Sequence, residues 1–471
     1  MNLKYIGSFA VGPLVGAILS FITIPIITWF FTQDDVGRFS IFQLLINLGM
    51  ILIGLDMYQA YVREYYEIEQ KEVLLKLAFI PGMLLLVVCF VLFQLVDFSI
   101  SGYFFGQGSQ ILDNCIFTGV VFLFCINLLS HVLRMQGRGW AFSATQIIPK
   151  LGYLLFLLFM VLLYKERNYI ELIITNVFVL FLSTLCFVFI LWEDIKKAWA
   201  AKYNKIIIKQ MLTFSLPLLA GSLAYWALIS IDRLILSYFT NFKEVGIYVV
   251  ATSLAAGVGV FATVFSNLWH PLVYKWVKEG IDPKRIAFIN ELMVLAVSFL
   301  WSLVGFFSWS IEYFFPKQYD GVQYIVVACV AMPLLYMLSE TTNVGIGISR
   351  KTGYAMITSL VALLVNIVVN CVAVPLHGVK GTALASMMTF ISFLILRTEF
   401  SSFLWVSLPR GKMYIFLMIY FVLTVMQVFE IFNNIFVSSI AWLLGFVVIC
   451  VLYFDKISWG FEKVKLRGFK C

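Results

Sequence analysis

The chain has 471 residues, of which 62% are hydrophobic and only 12% are charged, and its formal net charge is +8. A soluble chain of ordinary composition is about half apolar and a quarter charged, so a soluble enzyme or binding module is excluded. Apolar runs of about 20 residues recur along the whole length, and each is long enough to cross the hydrocarbon core of a bilayer. The sequence therefore predicts an integral membrane protein without a water-soluble domain.

The apolar runs predict an all-α integral membrane protein with about 14 transmembrane helices. Strand-like alternation is absent, so only helices fit as the spanning elements. The N-terminal stretch lacks a small-residue cleavage site and is interpreted as a retained helix. The predicted spans, in chain order, are residues 8–31, 39–62, 73–96, 113–135, 141–164, 170–192, 211–239, 246–272, 287–310, 323–346, 353–374, 380–402, 413–431 and 435–454.

Lysine and arginine are distributed unequally between the connections. With both termini placed in the cytoplasm, 26 of the 33 Lys and Arg residues fall on the inner side, 6 fall on the outer side and Arg233 lies within a span. The positive-inside rule strongly favours this orientation. The net positive charge is therefore a signal of topology and of contact with anionic lipid headgroups, and it gives no support for a nucleic-acid partner.

The longest inner connection, residues 192–210, separates two halves that resemble each other. Val36-Gly37 matches Val245-Gly246 at an offset of 209, and Arg138–Ala141 matches Thr352–Ala355 at an offset of 214. Six helices per half give both halves the same orientation, which predicts parallel repeats around a central cavity. The predicted domains are an N-terminal six-helix bundle (1–200), a C-terminal six-helix bundle (201–405), and two further transmembrane helices with a basic cytoplasmic tail (406–471).

Motifs for bond chemistry, metals or cofactors are not found. The eight cysteines form no C-x-x-C, and the three histidines, His131, His270 and His377, are not at ligand spacing. No G-x-S-x-G, H-E-x-x-H or Gly-rich phosphate loop occurs. We therefore predict no cofactor, no metal site and no catalysis by the chain itself.

Charged positions within or beside the spans are the first candidate site, because lipid disfavours charge. Asn127, His131 and Arg134 recur at i, i+4 and i+7, and Lys150 stands about ten residues into the fifth span. Cations also flank the inner mouths of equivalent helices in both halves, where they would form a basic entrance suited to a diphosphate. The predicted substrate-binding residues are His131, Arg134, Arg138, Lys150, Arg350 and Lys351. The alternatives are topology signals at the entrance and a packing role for His131.

A second group of charged positions is predicted to couple transport to an ion or to gate it. Asp232 and Arg233 interrupt the apolar stretch SLAYWALISIDRLILSYF, and Asp232 lies about 10 Å below the outer end of that helix at 1.5 Å per residue. The predicted coupling or gating residues are Asp56, Arg63, Asp232, Arg233 and Glu340. For Asp232, a packing ion pair with a neighbouring helix is an equal alternative to a cavity-facing carboxylate that couples a proton or cation.

Three stretches resemble bacterial polysaccharide flippases: residues 32–67, residues 230–255 with the Asp-Arg pair and Val-Gly-x-Tyr, and GVKGTALAS at 378–386. The chain thus resembles the Wzx-type O-antigen and capsule flippases of the multidrug/oligosaccharidyl-lipid/polysaccharide exporter superfamily. The resemblance implies movement of undecaprenyl-diphosphate-linked oligosaccharide across the bacterial inner membrane, for lipopolysaccharide O antigen, capsule or exopolysaccharide. It also implies membrane lipids, a polysaccharide polymerase and a chain-length regulator as partners.

Two other functions stay open at this point. A related exporter would carry drugs by cation antiport, or the peptidoglycan lipid precursor; a basic cavity favours diphosphate lipids, whereas exporters of cationic drugs use carboxylates. An integral-membrane polysaccharide polymerase or acyltransferase is the third possibility. The longest outer loop, Val96–Asp113, contains no Arg, Lys or His, which disfavours such an enzyme.

Overall fold

The computed structural model describes residues 3–96, 99–163, 167–280, 282, 284–351, 353–432 and 434–454. All regular structure in these residues is helical, and 12 segments are long and apolar enough to cross a membrane. One of them, Gly353–Leu404, contains two helices that meet at Gly378 (φ 54, ψ −131), and Phe436–Leu452 is a shorter apolar helix. The predicted all-α membrane fold is confirmed. The predicted basic tail after residue 454 lies outside the described residues.

The chain divides into two compact units, Met1–Ser230 and Ile231–Cys471. This boundary falls inside a helix, and the predicted division into residues 1–200, 201–405 and 406–471 stays a prediction. The first unit contains, in chain order, α1 (Leu3–Phe30), α2 (Gln33–Gly54), α3 (Met57–Glu64), α4 (Lys71–Val96), α5 (Ile100–Phe105), α6 (Gln110–Met135), α7 (Gly139–Leu163), α8 (Tyr169–Ile190), α9 (Trp192–Ala200) and most of α10 (Lys205–Phe239).

The second unit begins with the last turns of α10. Its other helices are α11 (Phe242–Lys278), α12 (Lys284–Phe307), α13 (Ile311–Phe314), α14 (Val322–Cys329), α15 (Ala331–Thr342), α16 (Val344–Ile348), α17 (Gly353–Leu404), α18 (Gly411–Val428) and α19 (Ile435–Leu452). The tenth predicted span, 323–346, corresponds to the candidate membrane segment Val322–Thr342, which is divided into α14 and α15 and is followed by α16. Pro333 lies in the first turn of α15 and has no N–H for the carbonyl of Cys329, which interrupts the helical ladder there.

The second helix of each half begins with the same kind of cap. The Thr32 side chain caps α2 and forms a capping box with Asp35. Asn241 caps α11, where its side chain accepts a 3.1 Å hydrogen bond from the Glu244 N–H. The two caps stand at the offset of 209 that the Val-Gly match suggested. Side-chain capping satisfies backbone donors that a helix start otherwise leaves unpaired.

The acids next to these caps also hold equivalent backbone groups. Asp35 Oδ1 accepts a 2.9 Å bond from the N–H of Tyr169, the first residue of α8. Glu244 Oε2 accepts a 2.8 Å bond from the N–H of Val379, directly after the Gly378 kink in α17. In each unit, an acidic residue at the start of the second helix of the repeat accepts a hydrogen bond from a backbone N–H at the start of the sixth helix of the repeat. This shared contact supports the internal repeat that the sequence matched only weakly.

Helices α1 and α7 approach closely through small residues. Ser143 Oγ accepts from the Gly12 N–H at 2.9 Å and donates to the Ser8 carbonyl at 2.5 Å, so its hydroxyl bridges two backbone groups one turn apart in α1. A Cβ atom on Gly12 would lie 2.6 Å from Ser143 Cα. Small residues permit such contacts between membrane helices, and only glycine fits at position 12.

We predict that Gly12→Ala destabilises the protein, whereas Gly7→Ala in the same helix does not. A Cβ at Gly7 would have no neighbour within 4 Å, so alanine there gains helix propensity of about 0.5–1 kcal/mol. At Gly12 the overpacking should cost about 1–3 kcal/mol. Thermal unfolding of the two detergent-solubilised variants measures the difference. A Gly12→Ala protein as stable as Gly7→Ala would contradict the close α1–α7 contact.

Candidate functional site

Helix α2 ends earlier than the sequence predicts, and the break positions a carboxylate. Leu55 (φ 48, ψ 26) and Asp56 (φ 51, ψ 23) both adopt the left-handed conformation between α2 and α3. For non-glycine residues this conformation costs roughly 1–2 kcal/mol each, because Cβ crowds the next carbonyl. The predicted continuous span 39–62 is therefore wrong: the apolar pattern gives no sign of the break, and leucine rarely adopts this conformation, although aspartate does so more often than most residues.

The break places Asp56 at a cavity of the first unit. Its side chain is buried, with 3% of the residue exposed, and Oδ2 accepts a 2.5 Å hydrogen bond from Ser222 Oγ of α10. The cavity has a volume of about 550 Å³ and is lined by α2, α3, α4, α6 and α10. We call it the aromatic cavity; its polar and aromatic lining residues are Asn47, Asp56, Tyr58, Gln59, Phe124, Asn127, Ser222, Tyr225 and Trp226.

The predicted polar face of α6 is divided among three environments. Asn127 lines the aromatic cavity. The His131 ring stacks on Tyr58 with centroids 4.3 Å apart, and its buried Nδ1 has no hydrogen-bond partner among the described residues. Arg134, one turn further, is exposed, as is Arg138 before α7. His131 thus supports a cavity residue, while the two arginines are available at the end of the helix.

Lys150 contacts the backbone of α1. Its Nζ donates a 3.0 Å hydrogen bond to the carbonyl oxygen of Gly16, and a Cβ on Gly16 would lie 3.4 Å from that Nζ. The absence of a side chain at Gly16 lets the lysine approach. The structure therefore gives Lys150 a contact between α7 and α1, and it does not bring this residue together with Arg134 and Arg138.

Arg63 lies in a second pocket of the first unit, of about 1,030 Å³. Its guanidinium lies 4.5 Å from the centroid of the Phe214 ring, and Nε is 3.7 Å from Glu64 Oε1. The charged lining residues are Arg63, Glu64, Glu67, Lys205 and Lys209, and we call this the charged pocket. Sequence reasoning used Lys205 and Lys209 only for topology. Their i, i+4 spacing at the start of α10 was the signal that they share a face.

Two helices, α3 and α10, contribute to the lining of both the charged pocket and the aromatic cavity. In α3, Tyr58 and Gln59 line the cavity, whereas Arg63 lines the charged pocket. In α10, Phe214 belongs to the charged pocket and Leu218 to the cavity. These two residues are one helical turn apart, about 6 Å along the axis. A single extended ligand can therefore reach from one site to the other.

Asp232 lies in a closed polar cluster of the second unit. Only 4% of the residue is exposed. Oδ1 accepts hydrogen bonds from the side-chain amides of Asn366 at 2.7 Å and Asn370 at 2.9 Å. Oδ2 accepts from Tyr248 OH at 2.8 Å and from Ser386 Oγ. Four neutral donors thus fill the acceptor sites of the carboxylate, while the amide oxygen of Asn370 is buried without a partner among the described residues.

Glu340 is held by Arg397, which sequence reasoning counted only as an inner-side cation for topology. Its Oε1 lies 2.5 Å from Arg397 NH1, and both side chains are largely buried. The Arg397 guanidinium also lies 4.2 Å from the Phe393 ring centroid. Arg350, in the left-handed conformation (φ 56), and Lys351 are exposed between α16 and α17. Glu340 therefore forms a packing ion pair, and the structure does not join it to the predicted entrance cations.

Comparison with known proteins identifies the family. A family model described as polysaccharide biosynthesis protein matches residues 3–275, which is more than half of the chain. The chain belongs to this family. An uncharacterized membrane protein of Methanocaldococcus jannaschii is 23% identical over 193 residues, which cover 40% of this chain and 44% of that protein. The matched part of the chain thus covers less than half the length of that curated relative.

Two solved structures share the fold of this chain. The lipid II flippase MurJ, in an inward closed conformation, is 15% identical with a TM-score of 0.63, covering 95% of this chain and 99% of that one. An outward-facing multidrug resistance MATE family transporter of the MOP superfamily is 15% identical with a TM-score of 0.50, covering 85% and 95%. The protein is therefore a multi-pass membrane protein with a transporter fold. Within the described residues, no group of three His, Cys, Asp or Glu side chains could hold a metal ion.

The left-handed break predicts that glycine stabilises the protein more than alanine at Leu55, which is the reverse of the order expected inside a helix. At Leu55, the Gly variant should be more stable than the Ala variant by about 1 kcal/mol, because glycine adopts positive φ without a Cβ clash. At Leu52, inside α2, the Ala variant should be the more stable by about the same amount. Both comparisons remove the same side chain, so packing losses cancel. Thermal unfolding measures the stabilities of the four variants. If the Ala variant is more stable than the Gly variant at both positions, α2 continues through residue 55.

Proposed function

We propose that this protein is a flippase that moves undecaprenyl-diphosphate-linked oligosaccharide repeat units from the cytoplasmic to the periplasmic leaflet of the bacterial inner membrane. The observation that carries the proposal is the aromatic cavity beside the charged pocket on α3 and α10. Such a pair suits a ligand with a hydroxyl-rich uncharged part and an anionic part. The fold shared with a protein named as a lipid II flippase, and membership of a polysaccharide biosynthesis family, support it.

The charged pocket is the proposed site of the diphosphate. Arg63, Lys205 and Lys209 supply three cations against the two carboxylates of Glu64 and Glu67. Stacking on Phe214 fixes the Arg63 guanidinium, and a fixed planar donor group suits phosphate oxygens. The exposed cations Arg134, Arg138, Arg350 and Lys351 remain the proposed entrance. With both termini in the cytoplasm, the first turn of α10 and the last turn of α3 face the cytoplasm, where the lipid-linked unit is made.

The protein is proposed to carry out transport and no bond chemistry. A polysaccharide polymerase and a chain-length regulator would then act on the exported unit, which becomes O antigen, capsule or exopolysaccharide. Membrane lipids are also proposed partners of the chain. Its proposed place is therefore a transport step between synthesis and polymerisation.

Export of organic cations is the second candidate function, and one observation favours it. Asp56 is the one charged side chain among the described residues that line the aromatic cavity. A carboxylate with aromatic rings around it attracts a lipophilic cation through charge and cation–π contacts. The charged pocket, with three cations, argues against this candidate because it would repel such a ligand.

Asp232 is the proposed coupling residue for a proton or cation, with Arg233 beside it. Its surroundings are polar and closed, with two amide and two hydroxyl donors, and they come from α11 and both parts of α17. Charging or neutralising this carboxylate changes contacts to all of these helices together. Such a group can therefore link ion binding to rearrangement of the second unit.

We predict that deleting the protein leaves lipid-linked repeat units on the cytoplasmic leaflet and abolishes surface polysaccharide. In the complemented strain, the double change Lys205→Ala and Lys209→Ala should lower export about tenfold, because two phosphate contacts are lost. The corresponding Lys→Arg changes should retain most export. Lys202→Ala, at an exposed lysine outside the pocket, is the matched control. Normal surface polysaccharide after deletion, with no paralogue present, would disprove the proposed function.

We predict that Asp232→Asn abolishes export without lowering protein abundance, whereas Asp232→Ala lowers both. The asparagine oxygen can still accept from Asn366 and Asn370, and the hydroxyls of Tyr248 and Ser386 can accept from its new amide. Alanine strands four buried donors, which is strongly destabilising. Immunoblots of membrane fractions and surface polysaccharide measure the two effects. Normal export by Asp232→Asn would reject a coupling role and leave a packing role.

A further inference from the structure

We infer that the aromatic cavity is a saccharide subsite whose residues select which repeat unit is carried, with Trp226 and Asn127 as specificity-determining side chains. The inference rests on the proposed function, because it divides the proposed ligand between two sites. The charged pocket would hold the diphosphate common to all such lipids. The cavity would hold the sugars, which differ from one repeat unit to another.

The aromatic rings of the cavity offer flat apolar surfaces. Leu218, Ser222, Tyr225 and Ile229 recur at i, i+4, i+7 and i+11 on α10 and line the cavity together with Trp226. Tyr58 lines it from α3, and its ring is fixed by stacking on His131 at 4.3 Å. A pyranose has apolar C–H faces that pack against such rings. Rings from two helices therefore provide surfaces that a sugar can stack upon.

The polar groups of the cavity match the hydroxyl rim of a sugar. Asn127 and Gln59 carry amides, which donate and accept hydrogen bonds at once, as sugar hydroxyls require. Ser222 uses Oδ2 of Asp56, and carboxylate oxygens accept several hydrogen bonds from hydroxyls. A polyprenyl chain would leave these groups unsatisfied, and the Asp56 charge would repel a phosphate. The lining thus favours the saccharide over the other two parts of the lipid.

The dimensions of the cavity fit this assignment. Its volume of about 550 Å³ lies within the range of roughly 300–1,000 Å³ that is usual for small-ligand sites. Ser222 lies near the middle of α10, 17 residues from either end. Solute sites near the middle of the membrane are typical of transporters that alternate access. A sugar bound there would be shielded from the surrounding membrane lipids, while the diphosphate to which it is attached stays in the charged pocket.

Binding measurements with two lipids test the assignment. Purified protein in nanodiscs is titrated with undecaprenyl diphosphate and with the undecaprenyl-diphosphate-linked oligosaccharide extracted from the deletion strain. Wild type should bind the sugar-bearing lipid more tightly. Trp226→Ala and Asn127→Ala should each weaken binding of that lipid about tenfold and change binding of undecaprenyl diphosphate less than about twofold. Trp140→Ala, at an exposed tryptophan outside the cavity, is the matched control and should change neither. Lys209→Ala should weaken both lipids by a similar factor.

The outcomes separate failure of the inference from failure of the proposed function. If wild type binds the two lipids with equal affinity, or if Trp226→Ala weakens the binding of both lipids equally, the cavity does not recognise the saccharide. That result would leave the proposed flippase function intact. If wild type binds neither lipid but binds tetraphenylphosphonium, and Asp56→Asn abolishes that binding, the proposed function itself fails in favour of cation export. Thermal unfolding of each variant shows that the folded protein is being measured.

Discussion

In hydrocarbon, every backbone N–H and C=O must find its partner within the protein, and the rest of this structure depends on that constraint. Where a helix begins or is interrupted, a side chain takes over. Asp35 and Glu244 hold the N–H groups that begin the sixth span of each half, and Ser143 joins two backbone groups of α1. Polar residues are therefore concentrated at helix breaks and close contacts. The candidate site is one of these places, because the break after Gly54 creates it.

Three buried carboxylates show how the surroundings of a charge decide its role. Glu340 faces the cation of Arg397 at 2.5 Å, which fixes both side chains as a packing pair. Asp232 accepts hydrogen bonds from two amides and two hydroxyls, and none of these four donors carries a positive charge. Asp56 is bonded to Ser222 and lines a cavity. The sequence shows three similar acids in apolar helices, and only their partners distinguish an ion pair, a neutral hydrogen-bonded cluster and a position at a cavity.

The spans could be predicted because lipid imposes a length and a composition that are visible in one dimension. The two second-span helices were also predictable, since Thr32 and Asn241 are strong caps at one offset. The left-handed pair at Leu55 and Asp56 was not, because leucine rarely adopts this conformation and the hydrogen-bond partner of Asp56, Ser222, is 166 residues away in the chain. Arg397 was counted only as an inner-side cation for topology, since its partner Glu340 is 57 residues away. Site residues were thus missed where their function depends on a neighbour distant in the chain.

The separation of the charged pocket from the aromatic cavity has a consequence for specificity. Both are lined by α3 and α10, yet no charged residue of the pocket lines the cavity. In the proposed assignment of sugar and diphosphate to these two sites, substitutions at Trp226 or Asn127 would alter the fit to a sugar without removing a phosphate contact. Affinity for the common lipid carrier and selection of the repeat unit can therefore change independently. In one continuous basic cavity the two properties would be coupled, because the same cations would contact both parts of every substrate.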